Sequence, residues 1–195
     1  MIPILMQNDT VVGFLADALS CVVTEERNGV FELTLTYPVT GALFDKLQID
    51  RFVKPKPNDT ADLQLFRIYE VTKPMNGVVT VNAEHVSYAL LNFPVEEIRI
   101  TGTATQAINE VLSDVTYDLD YFDKVHPFMV ATTDMDAVKA FSFKIGSARA
   151  ALGGTEGSVP DTFGGEYEWD NYTVRLREQP GQRYRSGRGV QKEYD

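Results

Sequence analysis

Apolar residues at every second position mark the first half of the chain as antiparallel sheet. Across residues 30–37, Phe31, Leu33, Leu35 and Tyr37 fall on one face and Glu32, Thr34 and Thr36 on the other, the period-two pattern of a strand with one buried side. A shorter run over 21–26 precedes it. Between the two sits Asn28-Gly29, a dipeptide that takes positive φ readily and so predicts a tight type I′ hairpin turn. The pattern returns at 65–72 and 78–84, joined through Lys73-Pro-Met-Asn-Gly77 with Asn-Gly again at the turn. Residues 43–47 read as a short helical turn, 49–53 as a further strand, and 54–62 as a loop, because two prolines remove ladder donors and the acidic and amide residues favour turns.

The character changes near Asn92. Residues 86–91 form a short apolar helix candidate stopped by Phe93-Pro94, and 95–101 alternate as a strand with Ile98 and Ile100 on one face. The clearest helix follows Thr103, a capping residue with Gln106 three positions on, while Ala104, Ala107, Ile108, Val111 and Leu112 line one face. Strand-like pieces are expected at 128–132 and 141–145. A short helix is expected from cap Ser147 to stop Gly153, then a glycine-rich loop, and a hairpin over 165–177 turning near Asp170-Asn171. Two hairpins with apolar stripes followed by this mixture predict an α+β, β-rich chain: a small antiparallel barrel-like module over 1–92 and an α+β module over 93–178. No segment repeats with a period of 20–50 residues.

Charge adds a third segment. The 195 residues carry a net −10, yet residues 175–195 hold six basic and three acidic side chains, so they are +3 and the remainder −13. Residues 179–195 are polar, glycine-rich and too poor in apolar side chains to fold alone, so they read as a connector toward a further region. An arginine-glycine RNA segment is the sharper alternative, and the acidic remainder argues against it, as it argues against nucleic acid or anionic membrane as a partner. The first residues lack a signal peptide's basic start and long apolar run, and no stretch has the ~18 consecutive apolar residues of a membrane helix.

The inventory for catalysis is thin. His85 and His126 are the only histidines and Cys21 the only thiol; none stands in a catalytic motif, and their spacing is not that of a zinc site. Around Ser186 the Gly-x-Ser-x-Gly pattern fails because Tyr184 occupies the first glycine position. Asp114, Asp118, Asp120 and Asp123, with Asp134 and Asp136 beyond, could supply oxygen ligands to calcium. They lack the glycine and terminal glutamate of an EF-hand, and a solvated acidic loop explains them more simply. Glu166, Glu168 and Asp170 alternate with Tyr167 and Trp169, either lining a sugar groove or forming a half-buried strand with carboxylates outward and rings inward. The loop Gly153-Gly-Thr-Glu-Gly-Ser158 follows a helix and has no P-loop lysine, and sequons at Asn8, Asn58 and Asn171 carry no weight without a secretory signal. Neither a catalytic set nor a cofactor or metal site emerges.

Three segments carry a resemblance: Phe31-Glu-Leu-Thr-Leu-Thr-Tyr-Pro38; Gln64-Leu-Phe-Arg-Ile-Tyr-Glu-Val-Thr-Lys73 with Val79-Thr-Val-Asn-Ala-Glu-His-Val-Ser-Tyr88; and Gly164-Gly-Glu-Tyr-Glu-Trp-Asp-Asn-Tyr172. Together they resemble the N-terminal region of siphophage and prophage tail proteins of Gram-positive bacteria, the phage minor structural or tail-associated lysin family, similar to the hub proteins of contractile tails. The resemblance implies a homotrimeric baseplate or tail-tip hub ring below the distal tail protein, with the tape-measure protein as neighbour. It places the chain at the virion tail tip after synthesis in the host cytoplasm. It further implies no enzymatic activity here, any lytic activity lying in a C-terminal part that this chain does not include. A cell-wall hydrolase, or a saccharide-binding module using Tyr167, Trp169 and Tyr172 on host cell-wall glycan, is the alternative. The acidic body could line a tube through which DNA slides.

Overall fold

The computed structural model describes residues 2–113, 115, 129–130, 133–153 and 155–178. His126, Asp114, Asp118, Asp120, Asp123, Ser186 and the 179–195 connector lie outside the described residues. The chain forms two compact units. The described part of the first runs over 2–26 and 30–86; that of the second takes Arg27–Gly29 together with residues from Ser87 to Glu178.

Seven strands make the first unit: β1 (Ile4–Gln7), β2 (Thr10–Phe14), β3 (Ser20–Glu25), β4 (Phe31–Pro38), β5 (Phe52–Lys54), β6 (Phe66–Val71) and β7 (Val78–His85). They form one antiparallel sheet in the order β2-β1-β5-β6-β7-β4-β3, curled into a half-barrel. The period-two reading of β4 holds residue by residue, since Phe31, Leu33, Leu35 and Tyr37 are buried. Leu5, Val53, Phe66, Ile68, Val79, Val81 and Ala83 are also buried, and Phe66 meets Phe31 edge-on with ring centroids 5.1 Å apart. On the opposite face Glu32 stands directly across from Glu84, a like-charge pair that destabilises a ladder on its own. Arg67, opposite Glu84 on the other side, offsets it by pairing with Glu84 and, at 3.1 Å, with Asp50.

The two Asn-Gly turns differ. At Asn76-Gly77 both residues take positive φ, 52° and 78°, and Met75 and Val78 exchange both backbone hydrogen bonds at 2.9 and 3.0 Å, which is the expected type I′ turn. At the other hairpin Glu25 pairs with Phe31 and the Glu26 N–H donates to the Val30 carbonyl at 2.7 Å, so the loop takes in Arg27 as well and is not a two-residue turn. Asn28 keeps positive φ, 49°, but its side chain is bound elsewhere. The β1–β2 hairpin, turning at Asn8 with φ 52°, was not expected; its strands are short and carry adjacent apolar residues instead of alternating ones. The strand expected over 49–53 begins only at Phe52, because Asp50 takes φ 69° and Arg51 donates to the Gln48 carbonyl to form a turn.

In the second unit the elements are β8 (Pro94–Val95), β9 (Ile98–Gly102), α1 (Ala104–Ser113), β10 (Met129–Val130), β11 (Lys139–Phe143), β12 (Gly146–Ser147), α2 (Ala148–Leu152), α3 (Val159–Phe163), β13 (Glu166–Asp170) and β14 (Thr173–Arg177). Strands β8 and β12 pair antiparallel, as do β9 and β11; the β13–β14 hairpin adds β10 parallel to β14. Helix α1 buries the face read from its sequence, Ala104, Ala107, Ile108, Val111 and Leu112, against Leu90, Phe141, Leu152, Val159, Val174 and Leu176. Its capping box is formed in both directions: Thr103 N–H donates to Gln106 Oε1 at 2.9 Å and Gln106 N–H to Thr103 Oγ1 at 3.3 Å. Ser147 caps α2 by accepting from Ala150 N–H at 3.1 Å. Helix α3, missed in the stretch read as loop, starts as Ser158-Val-Pro-Asp with proline in its first turn, a conformation the ring favours.

Candidate functional site

A nucleophile with its base would need Cys21 and His85 side by side. Cys21 lies opposite Leu35 across the ladder, whereas His85 stacks on Phe31, ring centroids 4.4 Å apart. Those two reference points lie four positions apart on β4, roughly 13 Å along a strand. Each group is also sealed. Burial pushes the Cys21 thiol up to about 12, and His85 has no exposed surface, with Nε2 3.2 Å from Oε1 of buried Gln64 and Phe66 edge-on at 5.5 Å. A thiol so disfavoured as thiolate is a core residue, not an attacking group.

Glu166 and Glu168, carboxylates of β13, are engaged in ion pairs. Glu168 Oε2 accepts from Arg177 Nε at 2.6 Å and its Oε1 lies 4.0 Å from Arg175. Asp170 accepts from Asn171 Nδ2 at 3.1 Å. Glu166 departs from the outward position expected of it: it is buried, 8% exposed, and paired with Arg27. The alternation fails there because the Arg27–Gly29 loop covers the start of the strand, and the arginine neutralises the carboxylate it covers. A sugar-cleaving pair needs one carboxyl in an apolar pocket and a second free to act; Glu166 and Glu168 serve as partners for arginines. Among the described residues no cluster of three or more His, Cys, Asp or Glu side chains offers a metal site, and the 114–123 carboxylates lie outside them. No helix among them is long and apolar enough to cross a membrane.

What the second unit does assemble is a cross-link centred on Arg149 of α2. Its guanidinium lies over the Tyr88 ring at 4.5 Å and the Trp169 ring at 5.7 Å, donates through Nη1 to Ser87 Oγ, and donates through Nη2 to the Gly29 carbonyl at 3.1 Å. A planar cation between aromatic faces combines ring attraction with a fixed fork of donors. Tyr167, 6.0 Å from Trp169, packs against the core with its hydroxyl buried and unpartnered, and burial holds that phenol well above its ordinary range. Beside it Asn28 acts as a surrogate strand: Oδ1 accepts from Tyr167 N–H at 2.9 Å and Nδ2 donates to the Gly165 carbonyl at 3.2 Å. The amide thus reproduces a backbone donor and acceptor on the edge of β13.

Of the rings singled out in the sequence, Tyr167 and Trp169 come together with Arg149 on Trp169, and all three, Tyr172 included, pack against the core of this unit. Sequence reasoning missed Arg149, Ser87, Tyr88 and the second role of Asn28. Arg149 gives no signal inside a short alanine-rich helix, and Asn28-Gly29 reads as a complete turn by itself. Chemically the arrangement fastens segments distant in sequence; it presents no activated group.

The fold of this chain is shared with a solved structure. The chain aligns with a crystal structure of prophage tail protein gp18 from Listeria monocytogenes EGD-e at a TM-score of 0.60 and 12% sequence identity, over 91% of this chain and 50% of that one. It thus spans half the length of that neighbour. No protein-family model and no curated protein matches the chain.

Proposed function

We propose that the chain is a structural component of a phage or prophage tail, forming a hub at the baseplate or tail tip below the distal tail protein. The observation that carries this reading is the likeness in fold to a prophage tail protein over 91% of the chain. The sequence segments at 31–38, 64–88 and 164–172, which resemble the hub region of tail-associated lysins, support it independently. So does the state of the chemistry-bearing residues: Cys21 and His85 are sealed in the first core, and Glu166 and Glu168 are bound to arginines. In this reading the protein works as a homotrimeric ring in contact with the distal tail and tape-measure proteins, and it performs no turnover. The packing of Trp169 beneath Arg149 favours a scaffold over a glycan platform, since a sugar-stacking ring needs an open face.

Co-expression with a distal tail protein from the same genome tests the assembly. The hub reading predicts a stable complex containing three copies of this chain by light scattering coupled to size exclusion. A monomer that ignores the distal tail protein at all concentrations, or one that clears peptidoglycan in a zymogram, refutes it.

A further inference from the structure

We propose that Asn76 is a site of spontaneous deamidation in the folded protein and that Asn28, in the same Asn-Gly dipeptide, is protected by the fold. The reaction needs no enzyme. The backbone nitrogen of the following residue loses its proton and attacks the asparagine Cγ; the new C–N bond forms as the Cγ–NH2 bond breaks and ammonia leaves, giving a succinimide. Water then opens the ring at either carbonyl, producing aspartate or isoaspartate. No electrons are exchanged. A following glycine offers no side chain to obstruct the attack, so sequence alone ranks the two positions equally.

Geometry separates them. Asn76 is exposed at the tip of the β6–β7 hairpin, and Gly77 has open space around it, with no atom within 4 Å of where a Cβ would stand. The turn is held by the Met75–Val78 pair and by Val39 N–H on the Gly77 carbonyl at 2.9 Å, none of which restrains the Asn76 carboxamide. Asn28 is restrained at both ends of its amide, by Tyr167 N–H at 2.9 Å and the Gly165 carbonyl at 3.2 Å, and the Gly29 carbonyl is tied to Arg149 at 3.1 Å. Turning its Cγ toward the Gly29 nitrogen requires breaking both hydrogen bonds of the side-chain amide, and losing ammonia removes the donor that the Gly165 carbonyl uses. The consequences differ too. Conversion at Asn76 adds a negative charge to an exposed tip, and the isoaspartate branch inserts an extra main-chain carbon into a two-residue turn. Conversion at Asn28 would set a carboxylate against a carbonyl oxygen.

Incubation of the folded chain at mildly alkaline pH, followed by peptide mapping and isoaspartyl methyltransferase labelling, tests this against the same chain unfolded in urea, where the two dipeptides convert at comparable rates. In the folded protein Asn28 conversion should fall roughly tenfold or more below its unfolded rate, the factor two retained hydrogen bonds of ordinary net strength supply. Asn76 should stay within a few-fold of its unfolded rate. Arg149→Met should raise Asn28 conversion several-fold and leave Asn76 unchanged. Equal folded rates at the two positions, or suppression at Asn76 as deep as at Asn28, overturns the proposal; both readings come from the wild-type chain and stand even if the variant fails to fold.

Discussion

Replacing Asn28 by glycine separates its two roles. Glycine accepts the positive φ of 49° without strain, so the turn survives, and what disappears is the side-chain amide on the edge of β13. Tyr167 N–H and the Gly165 carbonyl are then left half-buried without their partner. An unsatisfied buried polar group costs ~1–3 kcal/mol, with the lower end applying where water reaches in. The freer unfolded chain adds at most about 1 kcal/mol. The expected loss is therefore roughly 2–4 kcal/mol, and Asn28→Ala, which adds the left-handed penalty of ~1–2 kcal/mol, should lose more. Trp169 is the chain's single tryptophan and lies in the same unit beside Arg149, so its fluorescence reports the unfolding of this unit in urea. At a slope of ~1–3 kcal/mol/M the midpoint should fall by roughly 1 M or more. An Asn28→Gly protein within about 1 kcal/mol of the parent would refute the assignment, because a plain turn asparagine gives that result.

Further outcomes follow from the same geometry. Cys21 should resist a thiol reagent in the folded protein and react at once in denaturant; because its folded value lies near 12 against 9.0 unfolded, its share of stability is complete below pH 9 and lost as pH rises toward 12, and Cys21→Val should flatten that alkaline slope in pH-dependent urea melts. Gly165→Ala places a Cβ 2.5 Å from the Arg177 carbonyl oxygen at φ 90° and should cost roughly 2–4 kcal/mol by the same fluorescence, whereas Gly77→Ala, strained in φ alone, should cost ~1–2 kcal/mol by calorimetry. Glu168→Gln removes a pair whose carboxylate is a third exposed, and its midpoint shift should correspond to less than ~1 kcal/mol and shrink further in salt.

The parts of the fold visible in the sequence are those where one local rule decides. β4 alternates over eight residues because one face is buried and the other is not, and α1 declares itself through Thr103, Gln106 and a five-residue apolar face. The β1–β2 hairpin escaped because four- and five-residue strands are held by β5 and by the core, not by their own pattern. Asn28-Gly29 misled in a different way: its local preference is correct for φ, but the side chain gains more from Gly165 and Tyr167, and the loop widens to include Arg27. The Arg149 cross-link was invisible because it depends on which rings the fold brings to one helix, a contact between residues 62 positions apart at Ser87 and 120 apart at Gly29. That the chain holds two histidines and one thiol was legible from counts; that His85 and Glu166 are buried and bound was not.

The central claim, a structural place in a phage tail, is tested most directly by immunoelectron microscopy of particles induced from the host strain, using antibody raised against this chain. Gold label concentrated at the distal end of intact tails is the predicted result. Purified infectious particles that lack the chain by both labelling and mass spectrometry would contradict it.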